Sequence, residues 1–253
     1  MWRHIAGSVT GPSHERTGAP CQDSHVVRFL SARGEDHCVA CVADGAGSGE
    51  HSHDGSRLAC ESIAESATER FERDGSFTSV DEATVGDWCT DARDRIVQLA
   101  ESRGHASRDY ATTLCVALVS PTGTAFFQIG DGVIVARRNG VFGVVFWPAS
   151  GEYANSTDFL TGENYRDRLR FSSAEGPFAD LALMTDGVER LALSFESLTA
   201  HPPFFQPLFD ALRAADDPEP LNAELARFLR SESVTSRSDD DKTVVLLAEP
   251  AAR

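Results

Sequence analysis

Short apolar runs, broken by turns that carry glycine and aspartate, fill most of this chain, and two long stretches depart from that rhythm. Residues 24–30 (SHVVRFL) and 38–43 (CVACVA) predict two strands joined by the polar SARGEDH, a hairpin. Residues 50–73 and 80–103 space their bulky apolar positions helically instead. Leu58, Ile63 and Phe71 mark the first; Val85, Trp88, Ile96, Val97 and Leu99 mark the second, with Gly104 as its stop. A meander of strands follows. ATTLCVALVS (111–120) turns at Pro121-Thr122-Gly123 into TAFFQIG, and that turns at Gly130-Asp131-Gly132 into VIVARR. Asn139-Gly140, a strong hairpin signal between apolar runs, leads into VFGVVFW. Residues 148–178 have little periodicity and read as a long insertion. A strand at 181–184, helices at 207–215 and 220–231, and a last strand at 244–247 complete the pattern, with no repeat and no linker.

Four aspartates sit where a predicted strand meets a turn: Asp23, Asp44, Asp186 and Asp240. In an antiparallel hairpin the start of one strand lies beside the end of the next. Asp23 precedes its strand and Asp44 follows its partner, so the first hairpin brings both to one end. Asp186 follows a strand and Asp240 precedes one; they converge as well if those strands pair antiparallel. Asp131, at a tight turn, shares its end of the meander with residues 111–113 and Trp147, so the insertion leaves from that end. Carboxylate and carbonyl oxygens suit hard divalent cations. The glycines after Asp44, in DGAGSG, allow a ligand to approach the backbone closely. Metal-assisted chemistry is the leading reading.

Composition narrows the partners. The chain has 253 residues, 41% hydrophobic, which fits one large domain over 1–253. Its net charge of −16 disfavours nucleic acid and anionic membranes. No apolar run reaches membrane-spanning length and the first residues lack a signal-peptide core, so a cytoplasmic protein with reduced thiols is expected. Cys38 and Cys41 form a lone C-x-x-C within a strand, where positions three apart face opposite sides; they are expected in the core, not on zinc.

The ordered set of motifs resembles the metal-dependent protein phosphatase 2C family, in a compact bacterial branch: CQD at 21–23, VADGAGSG at 42–49, ATT at 111–113, IGDG at 129–132, MTDG at 184–187 and DDKT at 240–243. SGEYANSTDFLT at 150–161 adds to the likeness. The resemblance implies an α+β fold, a four-layer α-β-β-α sandwich with two antiparallel sheets face to face and helices outside. It implies two divalent cations, magnesium or manganese, and a third weaker site. Asp44 would bridge the first two, the Gly45 carbonyl would add an oxygen, and Asp186 and Asp240 would hold the second. Asp23 would work through metal-bound water, and Asp131 would help hold the third cation. Two cations about 3.5–4 Å apart lower the pKa of a shared water for in-line attack on phosphorus. Such chemistry needs no covalent intermediate. A phosphatase with an aspartate nucleophile would need D-x-D after a strand, whereas the D-x-D of this chain, Asp239 to Asp241, precedes one.

Two positions depart from the family. Ala46 stands where many eukaryotic members have a histidine, and Gly18 where many have a phosphate-binding arginine. Arg16, and more weakly His14, are the candidates for gripping phosphate; His51 and His53 are expected to be surface or capping residues. In the insertion, read as a flap beside the site, Glu152, Tyr153, Asn155 and Thr157 are candidate substrate contacts. The expected function is hydrolysis of phosphoserine and phosphothreonine in proteins, by a monomer acting opposite a Ser/Thr kinase. The alternative is a weakly catalytic module that binds a phosphoprotein or regulates a partner kinase. A calcium-stabilised structural protein ranks last, for want of a contiguous calcium loop.

Overall fold

The computed structural model describes residues 2–148 and 157–249. In chain order, β1 (Arg3–Val9), α1 (Pro12–Thr17), β2 (Ser24–Ala32) and β3 (Glu35–Ala43) come first. The long helices α2 (Ser52–Asp74) and α3 (Glu82–Ser102) follow, then β4 (Leu114–Ser120), β5 (Gly123–Ile129), β6 (Val133–Arg138) and β7 (Val141–Val144). Next are α4 (Tyr165–Arg168), β8 (Arg170–Glu175) and β9 (Asp180–Met184). A 3-10 turn at Asp186–Val188 runs into α5 (Glu189–Ala192), and β10 (Leu193–Ser194) and β11 (Thr199–Ala200) form a small hairpin. The chain continues with α6 (Pro202–Ala214), α7 (Glu219–Leu229), α8 (Glu232–Thr235) and β12 (Lys242–Ala248).

Ten strands form two five-stranded antiparallel sheets, ordered β2-β3-β4-β5-β8 and β1-β12-β9-β6-β7. Successive side chains of a strand point to opposite faces, and here both faces are covered. Cys38, Ala40 and Val42 of β3 and Cys115 and Ala117 of β4 pack between the sheets against Ile134, Leu183 and Val245. The intervening Val39, Cys41 and Ala43 turn outward onto α2 and α3, with Ile63, Phe71, Trp88 and Ile96. Val133, Met184, Val244 and Leu246 of the second sheet turn the other way, onto Phe205 and Phe209 of α6 and Leu225 of α7. These three apolar layers are the expected sandwich. Cys38 and Cys41 face opposite layers, as their spacing requires, and both thiols are free.

The first hairpin stands as predicted, pairing Ser24 with Ala43 at the end that carries Asp23 and Asp44. β9 and β12 pair antiparallel, with Val244 opposite Met184, so the conditional convergence of Asp186 and Asp240 is realised. The meander is corrected at one turn. β5 pairs with β4 and β8, whereas β6 pairs with β9 and β7, so Gly130-Asp131-Gly132 crosses from one sheet to the other. Both strands are buried on both faces, and their alternation therefore could not show which sheet each joins. β1, α1 and β8 were not anticipated, and β8 lies inside the span read as an insertion. The helix expected at 207–215 starts at Pro202, with Pro207 inside it.

Candidate metal centre

Asp44 leaves the end of β3 with its backbone held by the two residues that lead into β4. Its carbonyl accepts hydrogen bonds from the Thr113 amide (2.8 Å) and the Thr112 hydroxyl (3.0 Å), and its own amide donates to Thr113 Oγ1 (3.0 Å). The side chain is thereby free to point elsewhere. Gly45 follows in a tight cradle: its amide donates to the Gln22 carbonyl at 3.1 Å, and a Cβ would lie 2.7 Å from the carbonyl oxygens of Gln22 and Ser52. Backbone meets backbone there, which only glycine permits.

Asp23 enters the same region from the loop before β2 and is 6% exposed. Thr185 Oγ1 donates to its Oδ2 at 2.8 Å, while its Oδ1, fully buried, has no partner. Thr185 is itself locked to β12 by the Thr243 amide at 3.0 Å. Asp186 begins the 3-10 turn after β9, and its Oδ1 is also buried and unpartnered. The turn sits hard against the strand-entry loop, since a Cβ on Gly187 would collide with the Asp241 carbonyl. Asp240, exposed, lies in that loop and lines a cavity of about 300 Å³ with Asp186, Glu189, Arg190 and Arg237. Asp131, half-buried in the sheet crossover, accepts a hydrogen bond from Thr157 Oγ1 at 2.7 Å.

The electrostatics agree in sign at every buried member. Burial above all, then the charges of Asp241 and Asp186, pushes the Asp23 carboxyl up to about 8, against hydrogen bonds from Thr185 and Thr243 that favour its ionised form. Asp44 is raised well above the usual range by burial, then by Asp23 and Asp186. Asp186 rises to about 6, through burial and then Asp131, and Glu189 to about 7, through burial and then Asp186. Carboxyls buried beside one another resist ionisation, and a cation among them would relieve that repulsion. Among the described residues no three His, Cys, Asp or Glu side chains are drawn into a finished cage. The residues nevertheless fit such a cation: hard oxygen donors, two of them buried and unpartnered, with mutually raised pKa values. Asp44, the Gly45 carbonyl, Asp186 and Asp240 could hold divalent cations, with Asp131 at the margin.

Arg16 of α1 lies at the rim, 3.1 Å from Asp239, with both side chains exposed. His14 is drawn inward, its Nδ1 2.9 Å from the buried Asp241. Glu152, Tyr153 and Asn155 lie outside the described residues. Their neighbour Thr157 touches Asp131. Arg170 Nη2 donates to the Gly130 carbonyl (3.0 Å) and its Nη1 to the Trp147 carbonyl (2.9 Å), so the segment leaving Trp147 does start beside the Asp131 turn.

Known proteins are similar to this chain in sequence and in fold. A family model described as protein phosphatase 2C matches residues 10–230. The chain belongs to the protein phosphatase 2C family. It is 34% identical over 248 residues to serine/threonine-protein phosphatase 3 of Escherichia coli (strain K12), covering 97% of each chain. Its fold is that of a bacterial serine phosphatase crystal structure (TM-score 0.67, 15% identity, 100% of each chain). It is also that of the catalytic domain of the serine threonine protein phosphatase PstP in complex with two manganese ions (TM-score 0.60, 20% identity, 98% of this chain and 97% of that one).

In this family member several site-shaping residues escaped the sequence reading. Thr112 and Thr113 entered that reading only within the ATT motif, yet they fix the Asp44 backbone. Asp241 entered it only through DDKT and the D-x-D run; it is 2% exposed and its carboxylate accepts from the amides of Gly11 and Gln22, each at 2.6 Å. Position after Asp240 in a strand-entry motif was its only signal. Arg190 and Arg237 are isolated in sequence and no spacing rule finds them.

Proposed function

We propose that this chain is a divalent-cation-dependent protein phosphatase that hydrolyses phosphoserine and phosphothreonine by direct attack of an activated water. One observation carries the reading: aspartates from both sheets meet at one edge of the sandwich with buried carboxylate oxygens that no protein group satisfies. Bound magnesium or manganese would lower the pKa of water and offset the charge of the phosphoryl oxygens. The chain's own residues do the rest. Thr112 and Thr113 orient Asp44, Thr185 fixes Asp23, and burial keeps bulk water from screening the carboxylates. Arg16, on a short helix tied to the Asp239 loop, is the proposed phosphate grip, since a guanidinium can take two phosphoryl oxygens.

The alternative, a weakly catalytic binding module, is not favoured: every aspartate of the ordered set is present and grouped. A kinase that installs the phosphate is the proposed counterpart of the reaction. Among the described residues no helix is long and apolar enough to cross a membrane, and we propose a cytoplasmic monomer. The test is hydrolysis of a phosphothreonine peptide and of p-nitrophenyl phosphate with manganese, magnesium or a chelator. Turnover should need the cation, and chelator-resistant turnover of either substrate refutes the reading.

A further inference from the structure

A groove of about 720 Å³ opens between α6, α7 and the α5–β10 segment, on the helical layer of the second sheet. Ile5, Leu193, Leu208, Leu221 and Phe228 give it an apolar floor and walls. Its size suits the burial of several bulky side chains. Beyond Ser194 on its rim, Phe195 and Leu198 expose 48% and 62% of their surface at the tip of the β10–β11 hairpin. An apolar surface of this extent on an acidic, charged chain marks a place where something binds.

Two features say what. First, Arg190 and Arg237 line this groove and also the smaller cavity that holds Asp186 and Asp240, so the two hollows adjoin at these side chains. Secondly, neither guanidinium makes a hydrogen bond or an ion pair among the described residues. The chain carries 39 acidic against 23 basic residues, yet Glu224 is the single carboxylate among the groove's lining residues, against these two arginines. Two arginines without an ion-pair partner therefore stand between the acidic cavity, lined by Asp186, Glu189, Asp239 and Asp240, and the apolar groove.

We propose that this groove docks the stretch of the phosphoprotein beside its phosphorylated residue. An acidic side chain of that stretch meets Arg190 and Arg237, and bulky apolar side chains beyond it lie against Leu193, Leu208 and Phe228. The enzyme then selects phosphorylation sites flanked on one side by an acidic residue followed by apolar ones. This inference rests on the phosphatase reading above.

The experiment compares manganese-loaded protein on phosphothreonine peptides of equal length. One set carries Phe-Leu-Glu immediately before the phosphothreonine, one carries Glu-Leu-Phe immediately after it, so that Glu is nearest the phosphate in both, and one carries serines in place of either stretch. Docking predicts a KM about tenfold lower for one of the Glu-Leu-Phe orientations than for the serine peptide, with kcat little changed, the size of discrimination apolar pockets achieve. Leu208→Glu, at a half-buried position, should remove that difference. A fluorescein-labelled Glu-Leu-Phe peptide without phosphate should bind the wild-type protein in anisotropy and not Leu208→Glu. Equal KM for all peptides with the wild-type protein overturns the inference, whether or not the variant folds. Turnover of p-nitrophenyl phosphate reports the chemistry separately. If it is absent while the labelled peptide still binds, the phosphatase reading fails and the groove stands.

Discussion

Asp44 brings its carboxyl to the edge of β3 among the charges of Asp23 and Asp186, where burial already opposes ionisation. Function and stability therefore pull against each other at this residue. Asp44→Asn keeps the shape and removes the charge. Phosphatase activity should fall by about 10²–10³-fold, as when one preorganised electrostatic element is lost. The cation-free protein should melt no lower than wild type, and by a few degrees higher if relief of repulsion reaches about 1 kcal/mol. Steady-state kinetics and a melting scan in chelator check both; a variant that melts lower and keeps full turnover removes Asp44 from the centre. That Asp44 lies beside Asp23 was legible, because a hairpin sets the start of one strand against the end of its partner, and Ser24 does pair with Ala43. The role of Thr113 was not. Its hydroxyl accepts a backbone hydrogen bond from a residue 69 positions away, and threonine on a strand gives no sign of such a bond.

The β12 entry and the segment from α1 to β2 act as one element of the site, joined through the buried Asp241 carboxylate and, nearer the surface, through Asp239 to Ser13 and Arg16. Asp241 takes the Gly11 and Gln22 amides and faces His14, fixing both the helix that carries Arg16 and the loop that carries Asp23. Asp241→Asn replaces one acceptor oxygen by a donor and leaves an amide unmatched, which costs about 1–3 kcal/mol. The element shifts, and the manganese concentration for half-maximal activity should rise about tenfold, the usual effect of losing a residue that orients ligands. Half-saturation unchanged in a manganese titration would mean the two segments do not share this anchor. At this scale the sequence was readable where strands pair in chain order, as in the β2–β3 hairpin. It was opaque where pairing is between strands distant in sequence. β1 (RHIAGSV) has few bulky apolar residues and becomes a strand by pairing with β12. β8 (RFSSAE) is a half-exposed sheet edge, so its polarity hid it in the presumed insertion.

Across the whole molecule, the gathered carboxylates set how stability responds to pH and cation. In the unfolded chain an aspartate ionises near 3.8; in the cation-free fold Asp186 holds its proton to about 6 and Asp23 to about 8. A raised carboxyl pKa favours the folded state least where the unfolded chain has already released its proton. The contribution of these groups to cation-free stability therefore falls from about pH 4 to about pH 8 and then levels. His4, His25 and His37 have the opposite sign: burial lowers their pKa, so acidification below 6.5 protonates the unfolded chain first and destabilises the fold. The histidine contribution is common to protein with and without cation, so the difference between the two conditions isolates the aspartates. Cations bind the deprotonated carboxylates, and at one hundred times its dissociation constant a ligand adds about 2.7 kcal/mol. For a chain of this size that is roughly a 5–10 °C rise in melting temperature. The rise on adding manganese should therefore be small at pH 5.5 and widest near pH 8, where no proton has to be displaced. A manganese-induced rise that stays constant or shrinks between pH 5.5 and pH 8 would place the cation somewhere other than Asp23, Asp44 and Asp186.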